Sequence, residues 1–150
     1  MRSRRWYGSA SATIRERLLD TSVVVDLMRE VNSGTKGPAT AKIRALGPAR
    51  RLRLPLFVLC ELQAGVAGSA HPEQELARLE RATQYMDVVY PAAGFATLYG
   101  EAAAALRRQG TQIPTMDLLV AVTAKAESEP VLTADIEHFS RVVGVTVQRY

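Results

Sequence analysis

The sequence predicts an α/β domain, a mainly parallel sheet of about five strands with helices on both faces. Two observations carry this expectation. Short apolar, β-prone runs alternate with segments of helical period along the whole chain. Glycine or proline then punctuates most of the junctions between them. Regular alternation of this kind implies parallel strands joined through covering helices. At 150 residues the chain has the size of one ordinary domain, enough to bury roughly 70% of its unfolded surface.

The elements follow in order. A strand near Arg17 to Leu19 leads into a helix over Ser22 to Val31, closed by Gly34 and Gly37, and a second helix covers Ala39 to Leu46. Leu52 to Leu54 is the next strand. Leu54, Val58, Leu62 and Gly65 then form one stripe of a helix over Leu56 to Val66, ended by Gly68. Pro72 opens a helix running to Tyr85, a position where its missing N–H costs nothing, and Met86 to Val89 is a strand. Alanines 96, 102, 103, 104 and 105 favour a scaffold helix over Ala93 to Arg108, ended by Gly110. Thr115 to Ala126 places Leu118, Leu119, Val122 and Ala126 on one apolar face, with Asp117 in the first turn. A strand at Val131 to Thr133, a turn of helix over Ile136 to Arg141 and a strand at Val145 to Gln148 complete the pattern.

Composition narrows the function classes. With 47% hydrophobic and 23% charged residues the chain is globular. Its apolar runs are too short to cross a bilayer, so no membrane partner is expected and the cytoplasm is the expected location. The single cysteine, Cys60, excludes an intrachain disulfide and a thiolate zinc site; it reads as a buried small hydrophobe. His71 and His138 are too few and too isolated for a zinc cluster. The net charge of +4 is local. Residues 1–17 hold five arginines against Glu16 and form an Arg-rich, flexible extension, whereas residues 18–150, the folded domain, hold 14 basic and 14 acidic side chains. Any attraction for phosphate must then come from local patches such as Arg50, Arg51 and Arg53 or Arg107 and Arg108, unless these are solvated faces.

Four acids stand out. Asp20, Asp117 and Asp135 lie where a strand gives way to a helix, and Glu61 lies within a mostly apolar helix. Each aspartate has a bland reading: Asp20 and Asp135 as helix caps, Asp117 as a first-turn charge. Glu61 escapes the capping explanation, although a solvated face remains open to it. Asp26, six residues beyond Asp20, reads as surface charge. The ends of parallel strands are where open α/β folds place ligands, which favours one shared site. Hard oxygen donors select Mg²⁺ or Mn²⁺ over zinc, and clustered carboxylates need such an ion to offset their repulsion. A site of this kind activates water and clamps a phosphodiester. Thr21, Ser22 and Thr133 are placed to orient the carboxylates, with turn or cap roles as the alternative.

L-L-D-T-S-V-V-V-D-L at the start, C-E-L-Q-A-G after the second strand, M-D-L-L-V-A-V-T-A late and L-T-A-D-I-E-H-F-S-R-V near the end together resemble the PIN-domain family, and within it the VapC-type toxins of toxin–antitoxin pairs. The resemblance covers about residues 18–150. It implies a three-layer α/β/α sandwich and a Mg²⁺- or Mn²⁺-dependent endoribonuclease with Asp20, Glu61, Asp117 and Asp135 as its catalytic, metal-holding acids. It also implies an RNA substrate, a small VapB-like antitoxin, and a homodimer that forms a heterotetramer or larger assembly with it. Two alternatives stand beside this: an RNA-processing PIN nuclease without an antitoxin, and a receiver- or phosphatase-like domain with Asp20 as phosphoacceptor.

Overall fold

A computed structural model describes residues 15–150. Five strands, β1 (Arg15–Leu19), β2 (Arg50–Pro55), β3 (Met86–Val89), β4 (Val131–Thr133) and β5 (Val147–Arg149), form one sheet in the order β3-β2-β1-β4-β5. Every pairing is parallel. Seven helices connect them among the described residues: α1 (Thr21–Ser33), α2 (Pro38–Ala45), α3 (Leu56–Ala67), α4 (Pro72–Thr83), α5 (Phe95–Arg108), α6 (Thr115–Glu127) and α7 (Ile136–Ser140). Helix α1 packs on α2, α3 and α4, and α5 packs on α6. The three-layer α/β/α architecture expected from the sequence is the one observed.

The chain builds outward from β1 to β2 and β3, then returns to lay β4 and β5 on the other side of β1. The connections therefore diverge between β1 and β4, at the C-terminal edge of the sheet. Backbone bonds fix this seam, with the Leu18 amide donating to the Pro130 carbonyl and the Asp20 amide to the Leu132 carbonyl, each at 3.0 Å. Leu18, Leu19, Val131 and Leu132 are fully buried beneath it. Buried on both faces, such strands read as continuous apolar runs.

Several local expectations change. Strand β1 begins two residues earlier than the sequence suggests, so residues 15–17, assigned to the extension, enter the sheet; the rest of that extension lies outside the described residues. Helix α6 buries Leu118, Val120, Ala121, Val122, Thr123 and Ala124, nearly its whole circumference, and leaves Ala126 exposed. Cys60 is exposed, because the buried stripe of α3 is Val58, Leu62 and Val66 and residue 60 points away from it. The arginines of β2 are engaged. Arg51 pairs with Asp87 at 2.7 Å and Glu16 at 3.2 Å, and Arg53 with Glu127 at 2.8 Å and with Glu129. Glu129 directly precedes Pro130, so the Arg53 pair lies beside the N-terminal end of β4, at the opposite end of that strand from Thr133.

Candidate functional site

Asp20 is the residue between β1 and α1, and only 7% of it is exposed. It occupies the N-cap position, yet its side chain makes no capping bond. The carboxylate instead turns across the seam. Its Oδ2 accepts from the Thr133 hydroxyl at 2.8 Å and from Ser22 at 3.1 Å. Thr133 ends β4 and is fully buried; its hydroxyl oxygen also accepts from the Asp135 amide at 2.9 Å, while Ser22 Oγ accepts from the Ala134 amide at 3.1 Å. Two hydroxyls thus stitch the β1 end to the β4 end around one carboxylate. Burial pushes the Asp20 pKa up, the hydroxyl and Thr21 amide bonds pull against it, and the negative charge of Asp117 adds to the rise.

Asp117 sits in the first turn of α6, where the helix N-terminus favours an acid. Desolvation raises its pKa; the contact with His138 opposes the rise, and the charges of Asp135 and Glu61 reinforce it. These mutual effects tie the four acids into one electrostatic neighbourhood. Glu61 is exposed on α3 and accepts a hydrogen bond from the Thr21 hydroxyl, so the mid-helix glutamate is tied to the first residue of α1. Asp135 does cap α7, its Oδ1 accepting from the His138 amide at 3.2 Å. Capping and site placement are not exclusive here, because its second oxygen is free to face elsewhere.

That second oxygen meets His138, which the sequence reading set aside as isolated. His138 Nδ1 lies 2.8 Å from Asp135 Oδ2 and 2.7 Å from Asp117 Oδ2. Among the described residues, Asp117, Asp135 and His138 form the group whose ligand atoms all lie within 4.8 Å of one another. Asp20 and Glu61 stand around it, held by their hydroxyl partners. The signal was present in D-I-E-H: a spacing of three on a helix puts Asp135 and His138 on one face. Asp26 is also more than surface charge. The Tyr150 hydroxyl donates to its Oδ2 at 2.6 Å, and burial together with this bond pushes the phenol up to about 12.

The donor set fits a divalent cation. Two carboxyl groups sit above their ordinary pKa through desolvation and mutual charge, a condition that a cation relieves. Oxygen donors predominate, which suits Mg²⁺ or Mn²⁺.

Comparison with known proteins agrees in extent. The PIN domain family matches residues 17–145. Ribonuclease VapC1 of Haemophilus influenzae is 28% identical over 131 residues, covering 87% of this chain and 95% of that protein. A chain in the structure of VapBC-1 from nontypeable Haemophilus influenzae superposes with a TM-score of 0.77 at 27% identity, covering 89% of this chain and 97% of its own. A chain of VapBC2 from Rickettsia felis, bound to a promoter DNA fragment, reaches a TM-score of 0.82 at 24% identity, covering 90% and 98%.

Proposed function

The chain belongs to the PIN domain family, and on that premise we propose that it is a metal-dependent endoribonuclease, the toxin of a VapBC-like toxin–antitoxin pair. The observation that carries this reading is the gathering of Asp20, Glu61, Asp117 and Asp135 at the point where the sheet connections diverge, with the Asp20 and Asp117 pKa values both raised. The names of its ribonuclease relatives support RNA as the substrate, and the VapBC likeness supports an antitoxin partner.

Asp20, Asp117, Asp135 and Glu61 would hold a Mg²⁺ or Mn²⁺ ion. When bound, such an ion supplies acidity for an attacking water and positive charge for the phosphodiester oxygens. The chain's own contribution is positioning. Thr133 and Ser22 fix Oδ2 of Asp20, Thr21 fixes Glu61, and the α7 cap fixes Asp135. Orientation of this kind sets effective ligand strength as much as the ligands do. With 6% aromatic residues, a base-stacking platform is a poor fit, and recognition of RNA shape and exposed loops is the better one.

A groove of about 470 Å³ shares Thr21 and Glu61 with the site and is lined further by Val25, Met28, Leu62 and Val66. We assign it to an antitoxin arm that reaches the acids through a basic side chain. The domain includes β1 from Arg15 onward, with the Arg-rich segment before it, and the assembly is a homodimer that forms a heterotetramer or larger complex with antitoxin. The location is cytoplasmic; among the described residues no helix is long and apolar enough to cross a membrane.

The test is cleavage of transfer and ribosomal RNA by the purified chain. Cleavage in Mg²⁺ or Mn²⁺, stopped by EDTA and restored by adding back the ion, is the expected result; intact RNA with either ion overturns the reading. Suppression of that activity by a small co-purifying protein separates the toxin from an RNA-processing PIN nuclease, whose activity would need no such partner.

A further inference from the structure

His138 is the functional-site residue that the four-acid pattern leaves without a role. Its ring nitrogen Nδ1 sits between two carboxylates, 2.7 Å from Asp117 Oδ2 and 2.8 Å from Asp135 Oδ2. Asp135 spends Oδ1 on the α7 cap, so Oδ2 is the oxygen it can turn to a ligand, and that is the oxygen facing Nδ1. The three residues offer ligand atoms that all lie within 4.8 Å of one another. A protonated Nδ1 donates to the two oxygens; an unprotonated Nδ1 points its lone pair at the place where theirs converge. Near-equal spacing to both oxygens suits convergence, since an imidazole that merely orients one ligand has no need of the second.

We propose that His138 is a metal ligand, its Nδ1 joining Asp117 and Asp135 in an N,O,O set that favours Mn²⁺ and other first-row transition ions over Mg²⁺. The proposal rests on the divalent-metal reading above and corrects its all-oxygen donor set. Imidazole nitrogen binds transition ions far better than Mg²⁺, which prefers oxygen and keeps its own water. The side chain is suitably placed for exchange with solvent, being 31% exposed beside the 23% of Asp117 and 44% of Asp135. The ring is held on α7 by the turn that Asp135 caps, so one local structure presents two of the three donors.

The chain has only two histidines, which makes the test clean. Mn²⁺ is bound to the full chain and electron spin echo modulation is recorded for directly coordinated ¹⁴N. Imidazole nitrogen coupling in the wild type, retained in His71→Gln and lost in His138→Gln, is the expected outcome. The preference for Mn²⁺ over Mg²⁺ in competitive binding then falls roughly tenfold or more in His138→Gln, the scale on which ligand-shell changes act. Mn²⁺ that binds without nitrogen coupling overturns the proposal and leaves the carboxylate site standing. Mn²⁺ that does not bind at all removes both. If His138→Gln folds poorly, coupling retained in His71→Gln still decides the matter, because His138 is then the one histidine left.

Discussion

Helix α1 carries a carboxylate at each end, Asp20 just before its first residue and Glu30 in its last turn; both have little solvent exposure, 7% and 8%, although Asp20 lies deeper in the fold. Their pKa values nevertheless move in opposite directions. Desolvation pushes Glu30 up, but bonds from Thr40, Ala39 and Gly37 outweigh it and hold the group below its ordinary value. The Ala39 and Thr40 amides donate to its two oxygens at 3.0 and 2.8 Å, and both belong to the first turn of α2, the positive end of that helix. Asp20 gains chiefly hydroxyl donors and faces another carboxylate, so desolvation prevails. Low solvent exposure alone therefore says little about function. Glu30 is a completed structural joint, whereas Asp20 is short of positive charge, which a cation would supply under the proposed function.

The contrast is broken most forcefully by neutralising each acid in turn. Asp20→Asn is expected to lower the initial rate of RNA cleavage roughly 10³-fold, while Glu30→Gln leaves kcat within about twofold, because Glu30 only anchors α2. Stability should show the reverse. Glu30→Gln is expected to cost about 1–3 kcal/mol in urea unfolding at neutral pH, since amide donors lose a charged acceptor. That cost fades on acidification, because a group with a depressed folded pKa stabilises only above its unfolded value and loses this as pH falls. Gly37→Ala should reproduce the loss, as a Cβ there would meet the Glu30 carboxylate and drive it from the α2 amides.

Asp20→Asn, by contrast, is expected to raise Tm by about 2–4 °C in the absence of divalent ions. A group with a raised folded pKa stabilises fully only below its unfolded value, near 3.9 for aspartate, and that stability is lost as pH rises through the folded pKa. The advantage of Asp20→Asn should accordingly grow as pH rises through the carboxylate range and vanish below it. The smallest effect expected is that of Tyr150→Phe, about 0.5 kcal/mol in urea, since the Asp26 it releases is partly exposed.

How far each end of α1 could be read from sequence follows from the reach of its contacts. The strand-to-helix junctions at Asp20 and Asp135 are local features of apolar period, and the sheet follows from such alternation; the junction expected at Asp117 is absent, because α6 follows α5 through a loop with no strand between them. Glu30 is harder to read, because its partners lie nine and ten residues on, across a loop whose path no periodicity fixes. His138 meets Asp117 over 21 residues, and Tyr150 meets Asp26 over 124. A count of histidines along the chain cannot register that folding brings one of them between two acids. Cys60 shows a further gap: the cysteine's usual burial misled, whereas the 100° step of α3 carries residue 60 away from the Val58, Leu62 and Val66 stripe. The ion pairs of Arg51 and Arg53 were likewise out of reach, since Asp87, Glu127 and Glu129 meet them only in the fold.

The most direct measurement is the melting temperature of wild type, Asp20→Asn and Glu30→Gln across a Mn²⁺ titration. A ligand that binds only the folded state adds roughly 2.7 kcal/mol at a hundredfold excess over Kd. Wild type and Glu30→Gln should both gain several degrees from their own baselines, and Asp20→Asn little or nothing. An equal gain in Asp20→Asn, or a gain abolished by Glu30→Gln instead, would contradict the assignment of the two ends of α1.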